Sequence, residues 1–129
     1  MKSKIIVLSY FILTTVLIGT CSAQEFISSG NFKDKIAKDI VVVEFWANWN
    51  AQNEFKELIK LNDCMAYRID ISKHMDVQME YGVNVIPTVI IFDNGILKEK
   101  FGANVMFQLD ADKKTIQNSI DTLLLNKFN

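Results

Sequence analysis

The stretch Val41–Phe55, VVVEFWANWNAQNEF, constrains this chain more than any other. Ile40–Trp46 is apolar at nearly every position, as a central strand covered on both faces requires. The aromatic pair Trp46 and Trp49 follows, and then a polar segment that reads as a helix start. Asn50 suits its N-cap, where a side-chain oxygen accepts a backbone N–H. Phe55, Leu58 and Ile59 supply an apolar stripe, with Glu54, Lys56, Glu57 and Lys60 outside it. A buried strand feeding a helix end is a place to build a reactive site, because the unpaired N–H groups there stabilise an anion such as a thiolate. Here that position carries asparagines and no thiol.

The rest of the chain is read around this unit. Gln24–Ser28 is a short first strand, and Asn31 caps a helix over Phe32–Lys38 with Phe32 and Ile36 on one face. Cys64–Ile71 is the next strand, and Ser72 opens a helix that ends at the C-cap signature Tyr81-Gly82. Val85–Phe92 is the fourth strand, Asp93-Asn94-Gly95 a tight turn, and Ile96–Phe101 the fifth strand. Ile116, Ile120, Leu123, Leu124 and Phe128 form the stripe of a last helix. The expected order is βαβαβαββα. Val105, Met106, Phe107 and Leu109 put an apolar cluster between the last strand and last helix, which is expected to pack against the core; an exposed docking patch is the alternative.

EFWANWNAQNEF resembles the active-site segment of thioredoxins, in which Asp-Phe-Trp-Ala leads to Trp-Cys-Gly-Pro-Cys and a helix. Glu44 stands where that family has its buried acid and Trp49 where it has the Trp before the first Cys. Asn50 and Asn53 replace the cysteines, so NAQN stands in place of CGPC. Ile86-Pro87-Thr88 matches the family's cis-proline loop, and Phe101-Gly102-Ala103 its glycine-containing turn after the last strand. The similarity covers nearly the whole chain from about Glu25, in the family's order. It implies an α/β thioredoxin fold, a mixed central sheet with helices on both faces, and a groove beside Trp49 and the loop before Pro87 in which thioredoxins pair backbone hydrogen bonds with an extended substrate.

Residues 1–23 stand apart. Lys2 and Lys4 precede the mostly apolar run Ile5–Ile18, too short for a comfortable membrane span, and Cys21-Ser22-Ala23 supplies small residues before Gln24. This reads as a signal peptide, leaving one exported domain over residues 24–129, periplasmic or secreted. Cleavage before Cys21 with lipidation of its thiol is the alternative that would hold the exported domain at a membrane, and a retained membrane anchor is the third reading. Without Lys2 and Lys4 the chain keeps twelve basic against fifteen acidic residues, a net charge of −3. That balance argues against nucleic acid, since no basic stripe exists to displace counterions.

Disulfide exchange needs one thiolate to attack and a second thiol to resolve the mixed disulfide. An asparagine amide does neither, so Asn50 and Asn53 are either a helix cap and a first-turn polar residue or amide groups offered to a bound peptide. Cys64 follows a helix of about 12 residues, about 18 Å long, which carries it out of the Cα separation of about 7 Å that a disulfide tolerates. It reads as an inert core cysteine, or as a thiol for intermolecular pairing. Glu44, in an apolar strand, is expected to have its pKa raised by desolvation, as a remnant or hydrogen-bonded core acid, with a functional role the alternative. His74 has no Cys or His at metal-ligand spacing and reads as a solvated surface residue. No metal or cofactor is expected.

Three functions are compatible with these readings. The first is a redox-inactive protein that binds a polypeptide or partner protein across Trp49, Asn50, Asn53, Ile86, Pro87 and Gly102. The second is a thiol-disulfide oxidoreductase, as the resemblance alone would imply. The third is a fixed structural subunit of an envelope complex.

Overall fold

Strand β2, Ile40–Trp46, is the axis of the molecule, with side chains buried on both faces along its length. The computed structural model describes residues 24–129, so the signal peptide read over residues 1–23, Cys21 included, lies outside the described residues. Strand β2 pairs in parallel with β3 (Met65–Asp70) and antiparallel with β4 (Thr88–Asp93). The edges are β1 (Phe26–Ile27), parallel to β3, and β5 (Ile96–Phe101), antiparallel to β4. The five-stranded sheet runs β1-β3-β2-β4-β5, mixed as expected.

Alternation along β2 sends successive side chains to opposite faces. Val41, Val43 and Phe45 face helices α1 (Phe32–Ile36) and α2 (Met75–Glu80), meeting Phe32, Ile36 and Val77. Ile40 and Val42 face the other side, where Leu58 and the residues Ile116 and Ile120 of α3 (Lys113–Asn126) cover them. The expected strand order along the chain holds, helices lie on both faces, and three of the four expected helices form.

The connection between β2 and β3 departs from expectation. The continuous helix read from Asn50 is replaced by two 3-10 segments, Asn48–Asn53 and Leu58–Lys60, separated by extended backbone at Glu54 (ψ 152°). The cause lies beneath it. The Phe55 N–H donates to Glu44 Oε2 at 2.9 Å, and the Phe55 carbonyl accepts from Arg68 Nη2 at 3.2 Å. An α-helix through this point would need both groups for its own ladder. Glu44 takes the N–H, while the carbonyl is shared between Arg68 and Leu58 N at 3.2 Å in a 3-10 turn, and Ile59 is left exposed outside the core stripe.

Smaller differences have local causes. The Asn31 side chain does not cap α1; its Oδ1 turns back to accept from Ser28 N and Oγ. Helix α2 begins at Met75 because Asp70 Oδ1 holds Ser72 N and Oγ in a turn. Strand β1 is shorter than Gln24–Ser28, and β4 starts at Thr88, after the Ile86–Pro87 loop. Phe128 lies beyond α3 and is exposed. Asn94 and Gly95 both have positive φ, 50° and 83°, the conformation a two-residue hairpin needs.

Candidate functional site

Asn50 sits where β2 ends, and it is not an N-cap. Its residue is 6% exposed, and its amide is saturated from three directions. Nδ2 donates to the carbonyl of Ile86 at 3.2 Å and to that of Phe107 at 3.0 Å, while Oδ1 accepts from Asn53 Nδ2 at 2.8 Å. A primary amide carries two N–H donors, and both are used here. Asn50 thus ties the turn after β2 to the proline loop before β4 and to the segment after β5.

The proline loop presents backbone rather than side chains. The Ile86–Pro87 bond is cis, and both residues are buried, so Ile86 contributes its carbonyl and not its side chain. Thr88 Oγ1 closes the loop by donating to the Val85 carbonyl at 2.6 Å. Gly102 packs nearby, and a Cβ built on it would meet Val85 Cγ2 at 3.9 Å, an ordinary contact; its φ is not positive, so nothing in its surroundings demands glycine.

The apolar cluster Val105–Leu109 mostly does not pack inward, contrary to expectation. Ala103 and Leu109 form an antiparallel bridge, and Asn104 Oδ1 accepts from Met106 N at 2.8 Å and Gln108 N at 3.2 Å, making a small hairpin. Leu109 alone of the cluster joins the core. At the tip Val105 is 95% exposed, and Met106 and Phe107 are exposed as well. Phe107 takes φ +57°, the left-handed region that favours glycine. Its ring meets Trp49 edge-on at 5.5 Å between centroids, and Trp49 is itself 64% exposed.

Glu44 lies under this surface, fully buried. Oε1 accepts from Arg68 Nε at 3.0 Å and Nη2 at 2.9 Å, and Oε2 from the Phe55 N–H. Burial raises its carboxyl pKa above the ordinary 4.5, with the Arg68 charge and the Phe55 N–H pulling the other way. Trp46 Nε1 donates to Glu54 Oε2 at 2.9 Å, and Arg68 Nη1 stands 3.5 Å from the same atom. This network fixes the turn that carries Asn50 and Asn53.

The remaining candidates lie elsewhere. Cys64 precedes Met65, which pairs with Val41 at the opposite end of β2 from Trp46; burial pushes its thiol up to about 11. His74 is not simply solvated, since Nδ1 accepts from Ser29 N at 3.3 Å beside a cleft of about 660 Å³ lined by Trp46, Asn48 and Asp70. Among the described residues no group of three or more His, Cys, Asp or Glu could hold a metal ion, and no helix is long and apolar enough to cross a membrane. The sequence reading missed Arg68, and it named Phe107 within the apolar cluster without its contacts to Asn50 and Trp49. A lone arginine in the otherwise apolar centre of MAYRID is the counterpart that a lone glutamate in VVVEFW calls for, and that signal was present.

A mixed sheet in this order, with a cis-proline loop abutting the turn after the central strand, defines a protein of the thioredoxin fold. The thioredoxin family model matches residues 23–121, and the chain belongs to that family. It is 29% identical over 70 residues to a thioredoxin of Mycoplasma genitalium, across 50% of this chain and 69% of that one. It is 31% identical over 107 residues to the mitochondrial thioredoxin of Bos taurus, across 74% of this chain and 64%, just under two thirds, of that one. Among solved structures, a mutant thioredoxin from Halobacterium salinarum aligns with TM-score 0.61 at 21% identity, over 78% of this chain and 94% of that one. The thioredoxin of Malassezia sympodialis aligns with TM-score 0.60 at 24% identity, over 78% and 90%.

Proposed function

We propose that this chain is an exported, redox-inactive thioredoxin-fold protein that binds a polypeptide segment through the surface formed by Trp49, Asn50 and the Ile86–Pro87 loop. One observation carries the reading. The position that the family resemblance gives to the attacking thiol holds a buried amide whose hydrogens are spent on the carbonyls of Ile86 and Phe107. Such a group cannot attack sulfur, but it recognises backbone carbonyls, the acceptors an extended peptide offers. An exposed tryptophan beside it is the kind of apolar anchor that dominates binding energy at small interfaces. The cysteine among the described residues, Cys64, lies at the far end of the sheet with its thiol held protonated.

The test is photo-crosslinking in cells with the probe at Trp49 and a control probe at Lys60, which is exposed on another element. Discrete polypeptide adducts from Trp49 alone support the reading, and mass spectrometry then names the partner. Equal adducts from both positions, or none from an exported and folded protein, remove it. An insulin-disulfide reduction assay in parallel addresses the oxidoreductase reading, which requires turnover by the unmodified chain.

A further inference from the structure

The peptide-recognition surface is already occupied. Within the hairpin at residues 103–109 the backbone satisfies itself through Asn104, and among the described residues the hydrogen bond that reaches its tip from outside is the one from Asn50 Nδ2 to the Phe107 carbonyl. The same residue places its ring on Trp49 and adopts a left-handed φ that a phenylalanine does not choose freely. The Val105 and Met106 side chains just before it gain no core burial. A segment that exposes its apolar tip while committing one strained residue to the site resembles a ligand more than a structural loop.

Building on the function proposed above, we propose that the hairpin is an autoinhibitory occupant latched by Asn50. A polypeptide ligand bearing an aromatic residue binds by displacing Phe107, its own backbone carbonyl taking the Asn50 amide and its ring replacing that of Phe107 on Trp49. The requirement for an aromatic follows from the edge-on Trp49 contact, and the requirement for a carbonyl from the donor-only chemistry of Nδ2. Latching lowers the apparent affinity for any ligand by the fraction of molecules in which the site stands open.

The hairpin itself supplies the probe. In one variant residues 104–108 are replaced by an Asn-Gly turn joining Ala103 to Leu109, and the nonapeptide spanning Gly102–Asp110 is added in trans, with Trp49 emission read in a Trp46→Phe background. The shortened chain is expected to bind the peptide about tenfold or more tighter than the full chain does. Replacing the phenylalanine of the peptide with alanine should abolish that binding. In the full-length chain, Asn50→Ala should raise amide exchange of Phe107 and Gln108 about tenfold while leaving exchange in β2 and β4 unchanged.

A folded shortened chain that binds the peptide no better than the full chain overturns the proposal. So does unchanged hairpin exchange in Asn50→Ala. Either arm stands alone if the other variant does not fold. Latching seen in both arms, with no polypeptide adduct in cells, would instead remove the functional reading and leave the latch.

Discussion

A buried amide and a buried ion pair define the chemistry at the scale of single residues, and both act through carbonyl and N–H groups of the backbone. Glu44 satisfies the N–H of Phe55, and Arg68 satisfies its carbonyl while neutralising Glu44. Removing one member of such a pair leaves the other charge uncompensated, which costs about 3–5 kcal/mol, whereas replacing both with apolar groups is often nearly neutral. Glu44→Leu, which leaves Arg68 and the Phe55 N–H without their acceptor, should therefore destabilise the fold by about 3 kcal/mol in denaturant titration, and Glu44→Leu with Arg68→Met should recover much of the loss. The pH dependence has a definite sign. Because burial raises the folded-state pKa of Glu44, the folded protein holds its proton to higher pH than the unfolded chain. The corresponding stability is fully present below the unfolded pKa and is lost as pH rises from there through the raised value. Denaturation across that window should show stability falling with pH, and Glu44→Gln should flatten the slope. Cys64 offers a second check. A thiol moved from 9.0 to about 11 loses two pH units of thiolate, so native-state alkylation at neutral pH should run about 100-fold slower than in the unfolded chain. Equal rates in the two states would contradict its half-buried placement.

At the scale of elements, regular strands were legible and the irregular connection was not. Strand β2 was readable to the residue because an apolar run broken only by Glu44 and bounded by Asp39 and Asn48 has few alternatives, and the Asn94-Gly95 turn because its chemistry is local. The segment after Asn50 was misread because helix propensity and a Phe55–Leu58–Ile59 stripe both argued for a continuous helix. The deciding contacts come from Glu44 and Arg68, which are distant in sequence from Phe55 and meet only through the β2–β3 register. The hairpin at 103–109 was misread for the converse reason: its apolar content favours burial, but the Asn104 turn and the Asn50 latch turn it outward. The break after Asn53 has a mutational signature. Leu58, fully buried against Ile116 and Ile120, should cost about 2–5 kcal/mol as Leu58→Ala. Ile59→Ala, its exposed neighbour, should stay within about 0.5 kcal/mol. Similar losses at both positions would favour the continuous helix. Helix α3 is held locally by Asp112, whose Oδ1 accepts from Thr115 N and Oγ1, both at 2.8 Å. Asp112→Ala should lower Tm, and Asp112→Asn should retain most of it.

At the scale of the whole molecule, the fold has two ends with different roles. The end where Trp46 pairs with Asp70 carries Asn50, Trp49 and the latched hairpin; the end where Val41 pairs with Met65 carries the described thiol. The strands that carry the family's fold follow from apolar patterning, while the candidate site rests on polar contacts between residues distant in sequence. A single position links the two. The atoms at residue 50 can either attack a disulfide or hold Ile86 and Phe107 together, because a thiolate accepts hydrogen bonds where the amide donates two. Latching and redox chemistry are then mutually exclusive at this site. The chain as it stands should show no disulfide turnover above that of a Cys64→Ser control, and its Tm should not change with added reductant. Asn50→Cys with Asn53→Cys should lose the latch along with the amide, so Phe107 and Gln108 should exchange as fast as they do in Asn50→Ala, whether or not the new thiols turn over substrate. Slow hairpin exchange in that double-cysteine variant would mean that the fold, and not the Asn50 amide, holds the hairpin down.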